Sequence, residues 1–178
     1  ADNIGDACDN CLTDFNFAQS DGNHNGSGDM CDSGTPTSFT LTRVRLKANR
    51  SSAADGTILV KGVLDTTELG GVDGLREALH SPFAVGVTGA GLAAPEGIFF
   101  PPCRSVIVCS GSGPESASFV RRGATNLFSV QVRAYNRSFK PPLSSAPVTV
   151  TLSVGVDRRD EASRCRTGGR QSSADCRK

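Results

Sequence analysis

Tryptophan is absent, tyrosine and methionine occur once each, and no apolar run approaches the roughly 18 residues that span a membrane. No membrane-crossing helix is therefore expected. Residues 1–36 contain no Lys or Arg although they carry seven Asp, and their large apolar side chains are isolated at Ile4, Leu12, Phe15, Phe17 and Met30. Such a segment cannot close a hydrophobic core, so it folds only around metal ions and cross-links. The first residues also lack the basic-then-apolar layout of a secretory leader, and the chain is expected to be a mature exported form.

What is present points the same way. Seven cysteines in 178 residues favour an oxidising compartment, secreted or at a cell surface, over the cytosol. The net charge of +1 conceals an asymmetry: residues 1–36 carry −7 and the remainder +8. An acidic block without counter-charges repels itself and needs bound cations to fold. The basic excess is spread over strands and tail without interleaved aromatics, so it reads as solvated surface and no nucleic-acid partner is expected.

From residue 38 onward the pattern is that of strands, expected at 39–48, 57–65, 83–88, 104–109, 117–122, 126–135 and 146–154. Phe128, Val130, Val132 and Ala134 alternate with polar residues, as do Val148, Val150, Leu152 and Val154, so each run has one face in a core. Seven strands predict a mainly β chain, an Ig-like antiparallel β-sandwich. Residues 73–80 are expected to form a short connecting helix. The resulting division is an acidic arm (1–36), a sandwich (37–156) and a basic, disulfide-closed tail (157–178).

Inside the arm, Gly5-Asp6-Ala7-Cys8-Asp9 recurs as Gly28-Asp29-Met30-Cys31-Asp32, 23 residues later. The twelve residues from Asp21 to Asp32 have the layout of a Ca²⁺ loop. Asp21, Asn23 and Asn25 occupy the first ligand positions, Gly26 the sharp turn, Ser27 a carbonyl position, and Asp29 and Asp32 the last two. An incomplete copy precedes it, in which Asp2, Ile4 (through its carbonyl), Asp6 and Asp9 align with the second half of the loop. Asn3 stands there where the turn glycine belongs, a position asparagine tolerates.

Cys8-Asp9-Asn10-Cys11, Asn16, Gln19 and the loop from Asp21 to Asp32 together resemble a thrombospondin type 3 repeat, over about residues 2–32. The resemblance implies a calcium-filled arm without regular secondary structure. It also implies a Cys11–Cys31 bridge and a partner for Cys8 in a preceding repeat that is not in this chain. Leu12 and Phe17 depart from the family's usual Pro, and Asn23 and Asn25 from its usual Asp, which removes two charges and weakens calcium affinity. Two other readings of the arm compete: a disordered acidic linker, and a zinc site formed by Cys8, Cys11, His24 and Cys31. Zinc leaves the carboxylates without a partner.

By proximity Cys103 pairs with Cys109 and Cys165 with Cys176, which leaves Cys8 for an intermolecular bridge or a lost neighbour. Several stretches imitate catalytic motifs. Gly89-Ala90-Gly91-Leu92-Ala93-Ala94 matches a dinucleotide fingerprint, but Pro95, Gly97, Pro101 and Pro102 stand where its helix would run, so a loop is expected. His24 and His80 have no nucleophile near them in sequence, Asp160-Glu161 sits in a charged run, and no enzymatic constellation assembles. The sequence thus predicts an extracellular, calcium-binding structural protein whose partners are further copies of itself, building a fibre, sheath or surface layer. The competing reading is an adhesion or carbohydrate-binding module cut from a larger surface protein, with a surface glycan or matrix ligand.

Overall fold

Alternation of apolar and polar residues becomes, in three dimensions, strands with one buried face. The computed structural model describes residues 8–12, 16, 19, 28, 31, 39–49, 55–67, 69–103, 108–110, 115–162 and 164–178. In chain order its elements are β1 (Phe39–Lys47), β2 (Gly56–Asp65), α1 (Gly71–Leu79), β3 (Phe83–Gly89), β4 (Glu96–Phe100), β5 (Val108–Ser110), β6 (Ser116–Arg121), β7 (Leu127–Arg137), β8 (Val148–Val154), β9 (Val156–Ala162), β10 (Arg164–Gly168) and β11 (Ser173–Arg177). Seven strands form one antiparallel sheet in the order β10-β11-β1-β2-β7-β6-β5, and four form a second in the order β4-β3-β8-β9. Their inner faces share a single apolar core. Phe83 on β3 stacks on Phe100 of β4 at 4.6 Å and meets the edge of Phe119, on β6 of the other sheet, at 5.7 Å. Those three rings join the two layers.

The fold is therefore a mainly β sandwich, larger than the seven-strand Ig-like arrangement expected. The expected strands at 39–48, 57–65, 83–88, 117–122, 126–135 and 146–154 are all present with small shifts at their ends. Of the one expected at 104–109, residues 104–107 lie outside the described residues and β5 takes up the rest. β4, β9, β10 and β11 were not expected. β9 is an edge strand rich in Arg, Asp and Glu, whose charges blunt the edge and also hide the period-two signal. The segment after Gly155, anticipated as a tail, supplies β9 to the smaller sheet and the β10–β11 hairpin to the larger. In that hairpin Cys165 and Cys176 stand directly opposite each other and are bonded.

In β1 the buried positions change phase, Phe39 and Leu41 followed by Val44 and Leu46. The extra residue is Thr42, a bulge between the Leu41–Gly62 and Arg43–Lys61 pairs. Near it β1 is tied to β9, where Leu41 N donates to Asp160 Oδ2 at 2.7 Å; the other oxygen of that carboxylate accepts from Glu161 N and from Lys178 Nζ. Asp160 thus joins the two sheets to the C-terminal strand. α1 begins two residues earlier than expected, at Gly71, and within its first turn Gly74 packs so closely on Leu69 O that any Cβ there would overlap it. It buries Leu75 and Leu79 and leaves Asp73 and Arg76 paired at its surface.

β11 is held to β1 by Asp175, which accepts from Arg43 Nε at 2.9 Å, from Arg43 Nη2, and from Arg45 Nη2 at 3.2 Å. The Arg43 hydrogen bonds, first of all, hold the Asp175 carboxyl down to about 2 from an ordinary 3.8. Its folded pKa is depressed, so the stability it contributes is present in full above about pH 4 and is lost as pH falls through about 2. Asp175→Asn should cost roughly 1 kcal/mol at neutral pH, as a partly exposed bidentate pair does. Thermal midpoints of wild type and variant should then converge between pH 4 and 2; a constant gap across that range would show that Asp175 acts through packing rather than charge.

Candidate functional site

Short polar side chains organise the described part of the arm. Asp9 Oδ1 accepts from Cys11 N at 2.8 Å and from Gln19 Nε2 at 3.1 Å. Asn10 N donates to Gln19 Oε1 at 2.8 Å, Asn10 Nδ2 donates to Gln19 O at 3.0 Å, and Asn10 O accepts from Gly28 N at 3.0 Å. Asn16, fully buried, accepts from Gln19 through both its backbone and its side-chain oxygen. Asparagine and glutamine suit this role because one amide donates and accepts at once where little apolar surface exists.

The consequence is a clamp. Gln19 and Gly28 are both fastened to Asn10, and Cys31 is bonded to Cys11 one residue on. The chain leaves the clamp after Gln19 and is fastened to it again at Gly28; fixing two points of a chain close together lowers the entropy cost of closing the segment between them. A Cβ on Gly28 would overlap Asn10 Oδ1 and lie 2.7 Å from Cys11 Sγ, so only glycine lets the chain pass this close. Gln19 itself adopts a positive φ of 49° at the point of departure.

Asp2, Ile4, Asp6, Asp21, Asn23, Asn25, Ser27, Asp29 and Asp32 lie outside the described residues, as does His24. Asp9, predicted as the last ligand of the incomplete loop, is described, and its Oδ1 caps Cys11 N within the clamp. Among the described residues no group of three His, Cys, Asp or Glu side chains converges on a metal position. The Cys11–Cys31 bond removes two of the four zinc ligands considered above, since a disulfide sulfur is no thiolate donor. Cys8 is an exposed free thiol. Cys103 is disulfide-bonded, and the side chain of Cys109 lies outside the described residues.

The chain matches no family model, no curated protein and no solved structure. Its chemistry is therefore read from its own geometry. The fingerprint-like Gly89-Ala90-Gly91 has positive φ at all three residues, where β3 ends and the chain turns toward β4. Among the described residues no helix is long and apolar enough to cross a membrane.

One grouping was not visible in the sequence. The basic residues expected to be spread over the surface come into register on the outer face of the larger sheet. Arg164 stands opposite Arg177, Arg177 opposite Arg43, and Arg43 opposite Lys61. The signal lay in strand alternation, which puts all four on the outward face, but their alignment depends on pairings across more than a hundred residues.

Proposed function

We propose that the chain is an extracellular calcium-binding structural protein that assembles with further copies of itself into a fibre, sheath or surface layer. The observation that carries the reading is the Asn10 clamp with its Cys11–Cys31 bridge, which holds together Gln19, just before the segment with the calcium-ligand pattern, and Gly28 and Cys31 within it. Asp21, Asn23, Asn25, Ser27, Asp29 and Asp32 would hold one ion, and a hard divalent cation would supply the counter-charge that the acidic arm lacks. The resemblance to a thrombospondin type 3 repeat supports the same assignment. The incomplete loop at Asp2, Ile4, Asp6 and Asp9 would take its remaining oxygens from a neighbouring copy or water. The exposed Cys8 would lie near, or be bonded to, a cysteine of that copy.

Calorimetry on the oxidised protein should show uptake of at least one Ca²⁺; uptake of Zn²⁺ but not Ca²⁺ would overturn the metal assignment. Assembly is tested by light scattering. Cys8→Ser combined with Asp6→Ala should reduce the polymer in calcium to smaller species. An unchanged state, with and without calcium, would remove the assembly reading in favour of a module cut from a larger surface protein.

A further inference from the structure

The row Arg164, Arg177, Arg43, Lys61 crosses four adjacent strands. At the usual strand spacing it extends over about 14 Å. Like charges directly opposite one another destabilise a sheet, so such a row works against the fold. Asp175 compensates Arg43 and lies 3.7 Å from Arg177. Arg164 and Lys61 form no ion pair among the described residues. Beside this row, Asp175 stands between Arg166 and Arg45, and one strand further on Leu59 faces Arg133.

Edge protection accounts for only part of this. Cations on β10 guard the sheet margin, as charged edge strands commonly do. β1 and β2 are interior strands, paired on both sides, and Arg43 and Lys61 protect no edge. A merely solvated face would mix its charges.

Two concavities lie at the ends of the row on the same face. One, of about 410 Å³, is lined by Arg164, Arg166, Asp175, Arg177 and Lys178. The other, of about 550 Å³, is lined by Lys61 and Arg122, by the neutral polar side chains of Thr42, Ser118, Ser129 and Gln131, and by valines that include the exposed Val120. A polymer crossing the strands would therefore meet cations first and hydroxyl and amide groups next. Phe39, Phe119 and Phe128 of this sheet are buried in the core, and its exposed aromatic, Tyr135 on β7, stands four residues along the strand from Gln131, the partner of Lys61, so no aromatic stands within the row itself. Single-stranded nucleic acid is held by stacking on aromatic platforms.

We infer that the outer face of β10–β11–β1–β2 is a binding surface for an acidic polysaccharide, bearing sulfate or carboxylate groups. Its anions would lie at Arg164, Arg177 and Lys61, while Arg43 between them is held by Asp175, and its hydroxyls would lie against Thr42, Ser118, Ser129 and Gln131. Arginine forks pair bidentately with sulfate and carboxylate, and an open sheet face admits an extended chain without bending it. This surface is separate from the arm and does not rest on the calcium assignment. It gives a location and a charge to the glycan ligand of the competing reading.

The test uses the whole oxidised chain in calcium buffer, with heparin as the probe and affinity measured over a range of salt concentrations. Arg164→Ser with Lys61→Ser should weaken binding by about tenfold or more and lower the slope of log K on log salt by about two. Arg76→Ser with Lys140→Ser, the same change in net charge away from this face, should alter neither. Relief of like-charge opposition should leave the thermal midpoint of the face variant at or above that of wild type, which separates lost binding from lost folding. The inference is overturned if heparin does not bind at physiological salt, or if both double variants weaken it equally. Tighter binding to a single-stranded DNA homopolymer would transfer the face to nucleic acid, and displacement of heparin by a peptide of residues 1–36 would assign it to the arm of another copy. Assembly is read separately by light scattering, so its failure leaves this result standing.

Discussion

In a limited-proteolysis time course, chelation of calcium should direct cleavage to residues 12–30 while the strand Leu127–Arg137 stays intact. The two regions differ in what holds them. β7 lies between β2 and β6 and buries Phe128, Val130, Val132 and Ala134. The arm is held by the Asn10 clamp and one disulfide, with Leu12 exposed. A ligand present at a thousand times its dissociation constant stabilises the state that binds it by about 4 kcal/mol, so its removal raises the open population roughly a thousandfold. When opening is fast relative to cleavage, the rate of cutting follows that population. Oxidised protein should still keep its fragments joined through Cys11–Cys31 until reductant is added. Earlier cleavage in Leu127–Arg137 would overturn the division into a labile arm and a durable sandwich. An arm equally resistant with and without chelator would remove calcium as its stabiliser.

Phe119→Ala should lower the unfolding free energy by about 3–5 kcal/mol, the range for deleting a buried aromatic ring. The ring is fully buried and forms the contact from β6 of the larger sheet onto Phe83 of the smaller one, which in turn stacks on Phe100. Its loss leaves a void between two layers that cannot both collapse inward, because each is pinned by its own ladder. Against a total stability of about 5–15 kcal/mol this is a large fraction. Phe119→Leu, which retains most of the volume, should cost much less. Denaturant midpoints read both values. A Phe119→Ala cost below 1 kcal/mol would mean that the sheets are joined elsewhere, for instance through Asp160, whose carboxylate bonds to β1 and to Lys178.

Much of the sandwich was legible because its signals are local. A strand with one buried face announces itself within a few residues, as Val148-Thr149-Val150-Thr151-Leu152 does, and turn glycines and asparagines mark the gaps. The Cys165–Cys176 bond was legible from proximity alone, and the structure places the two directly opposite each other. Cys11–Cys31 followed from the resemblance. Asn10, Asn16 and Gln19 carried that resemblance, but their part in the clamp was given only by the structure.

Other features were settled only by tertiary structure. β9 through β11 have charged or short side chains and little periodicity, so they become strands because a paired neighbour offers them hydrogen bonds. Pairing with a neighbour, at the sheet edges for β9 and β10 and on both sides for β11, stabilises backbone that its own side chains do not specify. The phase change at Thr42 is written in the spacing of Leu41 and Val44, yet the reversal of face has meaning only against Gly62 and Lys61 on β2. The cationic row is the extreme case. Arg43, Lys61, Arg164 and Arg177 are unremarkable one at a time, and composition counted them as scattered surface charge. Alternation determined that each points outward; the registers of β10 on β11, β11 on β1 and β1 on β2 decided that they stand in line. Local pattern is a property of neighbouring residues, whereas register is selected by burying a whole face against a distant partner, and the charges on the opposite face are carried into alignment with it.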